Sequence, residues 1–184
     1  MKAKLNTEQM MELYKDFKEE KKQKELKEQK EEIKKGEKIS NIKTFFKKID
    51  VNAKTPTAGT PYSAGFDLYS TETSIIRPGI TSKVHTGICI SIPPGYFGAI
   101  FARSGLATKQ GLAPANCVGV IDSDYRGEVI VALHNHSQKT QKIELGDRIA
   151  QLVLIPYLGA ELVEVNELDE TERGAGGFGS TGTK

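Results

Sequence analysis

Apolar positions follow two different patterns in two parts of the chain. From about residue 48 onward, short runs rich in Val, Ile and aromatic residues are separated by Gly, Pro and Asn. Short runs with such punctuation and no 3.6-residue period predict strands and turns. The predicted strands cover residues 65–69, 73–76, 83–92, 98–102, 129–134, 149–157 and 161–165. This part of the chain therefore predicts an all-β sandwich or barrel.

The first 40 residues have a helical pattern instead. Met10, Leu13, Tyr14 and Phe17 recur at helical spacing, and Gly36 is placed to end a helix. Beyond Phe17 the apolar stripe thins, while Lys and Glu continue at four-residue spacing. We expect a charged helical extension over residues 1–40, with the α-helix itself over residues 6–35. It is either a solvated extension or a docking helix for an unidentified partner.

Charge is divided unevenly between these two parts. The whole chain has 26 Lys+Arg and 24 Asp+Glu, and residues 1–40 hold 12 Lys and 10 acids, which leaves 14 of each sign in the other 144 residues. A neutral domain is not a nucleic-acid binder driven by bulk basicity. No apolar run approaches the roughly 20 residues that span a bilayer. We therefore expect neither nucleic acid nor membrane as a partner.

The two cysteines indicate the compartment. Cys89 and Cys117 lie far apart and show no CxxC spacing, so neither a disulfide framework nor a zinc ribbon is predicted. We expect a reducing compartment, cytoplasmic with the nucleus as the alternative.

The C-terminal segment imitates two nucleotide-binding fingerprints. Residues 174–179 spell GxGxxG, and residues 174–181 resemble a Walker A loop with Ser180 in the place of lysine. Both fingerprints need a following helix, and only five residues follow Gly179. The remaining interpretations are a tail without function and a flexible arm, residues 173–184, whose groups suit a phosphate chain and a stacked base. Those groups are Arg173, Phe178, Ser180 and Thr181.

Three other segments carry candidate chemistry. Asp122 lies in a turn before a strand, where a carboxylate is either a turn former or a rigid general base for water. Arg103, Ser104 and Gly105 end a strand with a guanidinium, a hydroxyl and an amide, which together suit an anion. Asp67 is one acid in an otherwise apolar strand and needs a partner, for which Arg and a hydrated metal are the candidates.

Taken in order, five segments of the chain resemble the five motifs of the trimeric dUTPase family. They are AGFDL (64–68), ARSG (102–105), GVIDSDYRG (119–127), GDRIAQL (146–152) and RGAGGFGSTG (173–182). The resemblance covers about residues 48–183 and leaves residues 1–40 unexplained. One departure is Ala102, where the family commonly has proline before the Arg-Ser-Gly sequence.

The resemblance implies a jelly-roll-like β-sandwich over residues 41–172, assembled as a homotrimer with active sites shared between subunits. It implies hydrolysis of dUTP to dUMP and pyrophosphate, which limits uracil incorporation into DNA and supplies dUMP for thymidylate synthesis. Mg²⁺ is the implied cofactor, held by triphosphate oxygens and waters rather than by side chains. Asp67 would orient that network of water and ion.

The resemblance also assigns roles to residues. Asp122 would be the general base that activates water for attack on the α-phosphorus. The implied phosphate contacts are Arg103, Ser104, Gly105 and Gln151, joined by Arg173, Gly179, Ser180 and Thr181 from the arm. The implied nucleoside contacts are Phe178 on uracil, Asn116 and the hairpin from Gly119 at the uracil edge, and Tyr125 under the deoxyribose.

Three alternatives compete with this resemblance. dCTP deaminases share the fold but use a glutamate on the strand after the Tyr125 turn, where this chain has Ala132. A partner-binding module that keeps the enzyme fold for regulation would use the N-terminal helix for docking. A purely structural trimer leaves the motif residues without explanation.

Overall fold

The computed structural model describes residues 18, 19, 21, 23, 24 and 42–177. The chain divides into two units, Met1–Thr44 and Phe45–Lys184. In the first unit, residues 18, 19, 21, 23 and 24 are helical and exposed, and the rest of the predicted helix lies outside the described residues. The N-terminal helix therefore stays a prediction.

The described part of the second unit contains eleven strands and one short helix. In chain order these are β1 (Phe45–Lys48), β2 (Thr57–Ala58), β3 (Gly65–Tyr69), β4 (Ser74–Ile76), β5 (Thr81–Ser91), β6 (Tyr96–Phe101), α1 (Ser104–Gln110), β7 (Leu112–Pro114), β8 (Gly119–Ile121), β9 (Glu128–Asn135), β10 (Gln141–Ile143) and β11 (Arg148–Pro156). The predicted all-β class is confirmed.

The strands form three antiparallel sheets. A four-stranded sheet has the order β1-β5-β9-β7, a five-stranded sheet has the order β2-β3-β11-β6-β8, and β10 pairs with β4 alone. All three sheets contribute to one buried cluster, with Val131 and Leu133 from β9, Leu152 from β11 and Ile76 from β4 among its members. The sheets therefore enclose a single apolar core, as expected for a β-sandwich.

The polar side chain of Asn135 ties three segments together inside this core. Its Nδ2 donates to the carbonyls of Ile76 and Lys139, both at 2.8 Å, and its Oδ1 accepts from the backbone N–H and the hydroxyl of Ser137. Because every one of these partners is satisfied, Asn135 is fully buried without an unpaired amide. It fixes the turn that follows β9 against β4.

The helix α1 was not expected from the sequence. It runs for seven residues with a single buried position, Leu106, so it leaves no apolar period to detect. Gly111 ends it with φ +68°, and its N–H donates to the carbonyl of Ala107. The helix begins directly after Arg103 and therefore decides how the predicted anion-binding segment is presented.

The predicted strand over residues 161–165 is wrong for this chain alone. That segment has no strand structure, and Leu162 is 97% exposed. Alternating apolar residues form a strand only beside a partner strand, and within the described residues none lies next to this segment. No helix among the described residues is long and apolar enough to cross a membrane.

Candidate active site

Asp67 and Gln151 meet in the middle of the five-stranded sheet. Gln151 of β11 is paired with Asp67 of β3 on one side and with Phe101 of β6 on the other. Its Nε2 donates to the carbonyl of Ala102 at 3.0 Å, just where the chain leaves β6 for Arg103. Three sequence motifs are thus brought together by strand register alone.

The Asp67 carboxylate lies between two guanidinium groups. Nε of Arg103 donates to Oδ1 at 2.8 Å, and Nη1 of Arg148 donates to Oδ2 at 3.1 Å. The side chain of Asp67 is only 15% exposed, so these charge-assisted hydrogen bonds offset the loss of its hydration. Of the two partners left open by the sequence, arginine is the one that the structure contains.

Arg148 is a site residue to which no sequence pattern assigned a role, although it lies in the GDRIAQL segment. The β3–β11 register shifts between Arg148 and Ala150, so β11 carries an irregularity beside Asp67. The Arg148 carbonyl also accepts from Nη1 of Arg103 at 3.3 Å. The contact between Arg148 and Asp67 can be recognised only when the register of β3 and β11 is known.

Arg103, Ser104 and Gly105 lie at the start of α1. Arg103 is the N-cap residue, with extended backbone angles, and Ser104 and Gly105 form the first turn. Amide groups in a first turn have no acceptor inside the helix. A Cβ built on Gly105 would meet nothing within 4 Å, so this surface is open.

Asp122 and Tyr125 lie in the turn that connects β8 of the five-stranded sheet to β9 of the four-stranded sheet. The Tyr125 N–H donates to the Asp122 carbonyl at 3.1 Å, and Nη1 of Arg126 donates to the carbonyls of Ser123 and Tyr125 at 2.6 and 2.8 Å. These bonds define a tight turn. The Asp122 side chain is exposed and has no hydrogen bond or ion pair to another described residue.

A cavity of about 260 Å³ lies beside the β8–β9 turn. Its lining residues are Val120, Ile121, Asp122, Tyr125, Glu128 and Ile130. The Tyr125 hydroxyl donates to the Glu128 carbonyl at 3.0 Å. A Cβ on Gly127 would collide with that hydroxyl oxygen, so the ring can take this position only beside a glycine. Turn, glycine and tyrosine therefore form one unit.

Asn116 and Gly119 bracket the turn that leads into β8. The Cys117 N–H donates to the carbonyl of Pro114 at 3.1 Å, and the Val118 N–H donates to that of Asn116 at 2.6 Å. Cys117 has φ +60°, in the left-handed region. Gly119 begins β8 and is paired with Ile100 of β6.

The two groups of predicted residues lie at opposite ends of β6. Ile121 pairs with Gly98, which places Asp122 near the start of β6, whereas Arg103 follows its end. Six residues of extended chain from Phe97 to Arg103 span about 20 Å. One copy of the chain thus does not bring Asp122 to the Arg103 segment.

The C-terminal arm is described only as far as Gly177. Phe178, Gly179, Ser180 and Thr181, all predicted site residues, lie outside the described residues. Nε of the exposed Arg173 donates to the Gly176 carbonyl at 2.9 Å, and the Gly176 N–H returns a bond to the Arg173 carbonyl at 3.0 Å. This local turn does not bring Arg173 to Arg103 or to Asp122.

Comparison with known proteins identifies the family of this chain. The dUTPase family model matches residues 51–182. The deoxyuridine 5'-triphosphate nucleotidohydrolase of Nautilia profundicola is 50% identical over 141 residues, which cover 77% of this chain and 99% of that protein. The enzyme of the same name from Candida albicans is 47% identical over 148 residues, 79% of this chain and 91% of that protein.

Solved structures of phage enzymes share the fold. The dUTPase of Staphylococcus bacteriophage 80alpha, solved with dUPNHPP, has a TM-score of 0.71 and 30% identity, covering 77% of this chain and 99% of that one. A dUTPase from phage phi11 of S. aureus, described with a structural Mg(II) ion, has a TM-score of 0.65 and 26% identity, covering 70% of this chain and 100% of that one. The chain is therefore a member of the dUTPase family.

Proposed function

We propose that this chain hydrolyses dUTP to dUMP and pyrophosphate, with Asp122 as the general base. Removing dUTP limits uracil incorporation into DNA, and the product supplies thymidylate synthesis. Membership of the dUTPase family supports the overall reaction. The observation that carries the mechanism is the Asp122 carboxylate, which is unpaired among the described residues and lies on the wall of a nucleoside-sized cavity.

In this mechanism Asp122 takes a proton from water. The water oxygen then attacks the α-phosphorus, the bond between the α-phosphorus and the bridging oxygen breaks, and pyrophosphate leaves with that oxygen. The tight turn between Asp122 and Tyr125 supports this role, because a general base must be held within hydrogen-bond reach of its water.

The phosphate end of the site is proposed to be Arg103, Ser104, Gly105 and Gln151. Asp67 would act here by orienting Arg103, since its Oδ1 accepts from Nε, Nη1 donates to the Arg148 carbonyl, and Nη2 has no partner among the described residues. Asp67 is also proposed to orient the network of water and ion, since each of its oxygens has one guanidinium donor and a second lone pair that can accept from water.

Mg²⁺ fits this site as an ion carried by the substrate. Among the described residues no group of three His, Cys, Asp or Glu side chains is placed to hold a metal. The phosphate oxygens of dUTP and water molecules would then be its ligands. When bound, the ion supplies stabilisation of the charge that develops on the phosphates.

The nucleoside end is proposed to be the cavity beside Tyr125. The Tyr125 ring, fixed by Gly127 and by its bond to the Glu128 carbonyl, would pack under the deoxyribose and leave no room for a 2′-hydroxyl. Asn116 and the backbone after it would read the uracil edge, where a 5-methyl group would clash. Steric exclusion combined with hydrogen bonding gives this discrimination.

We propose a homotrimer in which one copy supplies Asp122 and Tyr125 and another supplies Arg103 and Gln151. The separation of about 20 Å along β6 supports this division, because a triphosphate cannot contact both ends within one copy. The exposed apolar residues Leu158 and Leu162, 96% and 97% exposed, support contacts with another copy. The arm with Arg173, Phe178, Gly179, Ser180 and Thr181 would close over the phosphates and uracil from a third copy and exclude water.

A steady-state assay across dUTP, dTTP, dCTP and UTP tests the proposed function. We expect pyrophosphate release from dUTP with kcat/KM at least about 10²-fold above each of the others, because a site that rejects by clash and hydrogen bonding together discriminates strongly. Equal rates on dUTP and dTTP, or ammonia release from dCTP, would contradict the assignment. Ala132 of β9, which lacks a carboxylate, favours the first outcome over deamination.

Gly105→Ala separates binding from folding. Because a Cβ at Gly105 meets nothing within 4 Å and alanine suits a helix better than glycine, we expect the melting temperature to stay equal or to rise. We expect KM for dUTP to rise by about tenfold, since a methyl group keeps the phosphates from the amides of the first turn. Gly159→Ala is the matched control, because its Cβ also meets nothing within 4 Å and Gly159 lies outside the motifs. An unchanged KM in Gly105→Ala would remove the phosphate contact from this segment.

Three finer expectations complete the proposal. The sandwich is proposed to be of the jelly-roll type, residues 1–40 to form a helical extension, and the protein to work in the cytoplasm with the nucleus as the alternative. Pull-down with and without residues 1–40 tests whether that extension docks a partner.

A further inference from the structure

The pairing of β5 with β9 is interrupted by a bulge next to the β8–β9 turn, which carries Asp122. The register passes from His85 opposite Ile130 to Cys89 opposite Glu128, so β5 has two more residues than β9 over this stretch. Gly87 lies in the middle of the bulge with φ +65°, a conformation that favours glycine.

Glu128 closes this bulge with both oxygens of its carboxylate. The Gly87 N–H donates to Oε1 at 2.8 Å, and Nδ1 of His85 lies 2.8 Å from Oε2. The side chain of Glu128 is 17% exposed and that of His85 is 44% exposed. A bulge removes ladder partners from its strand, and here a side chain supplies the missing acceptor.

The same glutamate holds the tyrosine of the nucleoside cavity. Its backbone carbonyl accepts the Tyr125 hydroxyl at 3.0 Å, and it lines the cavity together with Asp122. Glu128 therefore binds two segments: its carboxylate accepts from the bulge in β5, and its backbone carbonyl accepts from Tyr125 of the β8–β9 turn.

His85 is surrounded by carboxylates from three segments. Besides Glu128 on β9, these are Glu72 before β4, whose Oε1 accepts the His85 N–H at 3.3 Å, and Asp50 after β1. The hydrogen bond to Glu128 holds the pKa of His85 above its ordinary value of 6.5, against the effect of burial and aided by the charges of Glu128, Glu72 and Asp50. The stabilisation of the folded protein by the ion pair of protonated His85 with Glu128 is therefore complete below pH 6.5. It is lost as the pH rises through the raised pKa of His85.

We propose that His85 is a positioning residue for dUTP binding, which acts by fixing Glu128 and through it Tyr125. The inference rests on the proposed contact between Tyr125 and the deoxyribose. While His85 is protonated, an ion pair fixes Glu128. After His85 loses its proton, a neutral hydrogen bond holds Glu128 less firmly, and binding of the nucleoside weakens.

The test compares KM for dUTP in wild type and His85→Asn between pH 6 and pH 9. Asparagine places an amide donor close to the position of Nδ1 but does not titrate. We expect KM of His85→Asn to be about two- to fivefold above wild type at pH 6, the range that partly exposed ion pairs give, and to converge with wild type at pH 9. Because both proteins are measured on the same substrate, titration of its phosphates cancels in the ratio.

Two further variants separate positioning from general stability. In a Tyr125→Phe background the ratio should be one at every pH, because the bond from Tyr125 to the Glu128 carbonyl is missing. Glu128→Gln keeps an acceptor for Gly87 but removes the ion pair, so it should reproduce the pH dependence of His85→Asn even if that variant folds poorly.

Three outcomes would overturn the inference: a ratio that does not change with pH, an unchanged ratio in the Tyr125→Phe background, or a lower melting temperature at pH 6 with no change in KM. If the wild-type protein turns over dUTP, any of these three outcomes leaves the proposed function standing. A wild-type protein without dUTP turnover instead removes the proposed function itself.

Discussion

We expect Asp122→Asn to lower kcat for dUTP by about 10²- to 10⁴-fold, the range that a positioned general base contributes. Asparagine has nearly the same shape as aspartate but cannot take the proton of the attacking water. The Asp122 side chain has no partner among the described residues, so its replacement leaves no polar group unpaired, and the melting temperature should not change. The measurement is pyrophosphate release at saturating dUTP, beside a thermal unfolding curve.

Asp124→Asn provides the matched control for this prediction. Asp124 lies two residues away in the same β8–β9 turn. It is exposed and does not line the cavity. The same change of charge at Asp124 should leave kcat within about twofold of wild type, as expected for a surface substitution. An equal loss of kcat in both variants would assign the effect to the charge of the β8–β9 turn. Full activity in Asp122→Asn would show that another group is the base.

The sequence predicted the centre of the fold better than its edges. The strand over residues 65–69 has the bounds of β3, because an apolar run between Pro and Ser clusters has a clear start and end. The three-residue strands β7, β8 and β10 were not predicted, since a period of two cannot be recognised over three positions. Their existence depends on neighbouring strands rather than on their own residues.

Contacts in the site differ in how far the sequence foretold them. A buried acid in an apolar strand needs a partner, and for Asp67 that rule left arginine and a hydrated metal open. The structure pairs Asp67 with Arg103. The rule did not identify Arg148, because that contact depends on the irregular register of β11. The pairing of His85 with Glu128 was out of reach for the same reason, since 43 residues and a bulge separate the two.

Mixing two inactive variants should restore activity if active sites are shared between copies. Asp122→Asn lacks the proposed base, and Arg103→Gln lacks the proposed phosphate contact at the other end of β6. In a trimer that contains both kinds of subunit, one junction out of three joins an intact Asp122 to an intact Arg103 from different copies. We therefore expect about one third of the wild-type kcat per trimer in mixed assemblies.

The experiment uses the two variants with different affinity tags, refolded together and purified through both tags in succession. As a control, Asp122→Asn is mixed with the double variant Asp122→Asn/Arg103→Gln, which gives mixed trimers without any intact Asp122 and should remain inactive. Restored activity in the first mixture alone requires that Asp122 and Arg103 act together across a subunit boundary, because no single copy in it holds both. If doubly tagged trimers form and stay inactive, Asp122 and Arg103 work within one copy. The separation of about 20 Å along β6 must then be closed by a rearrangement of the β8–β9 turn.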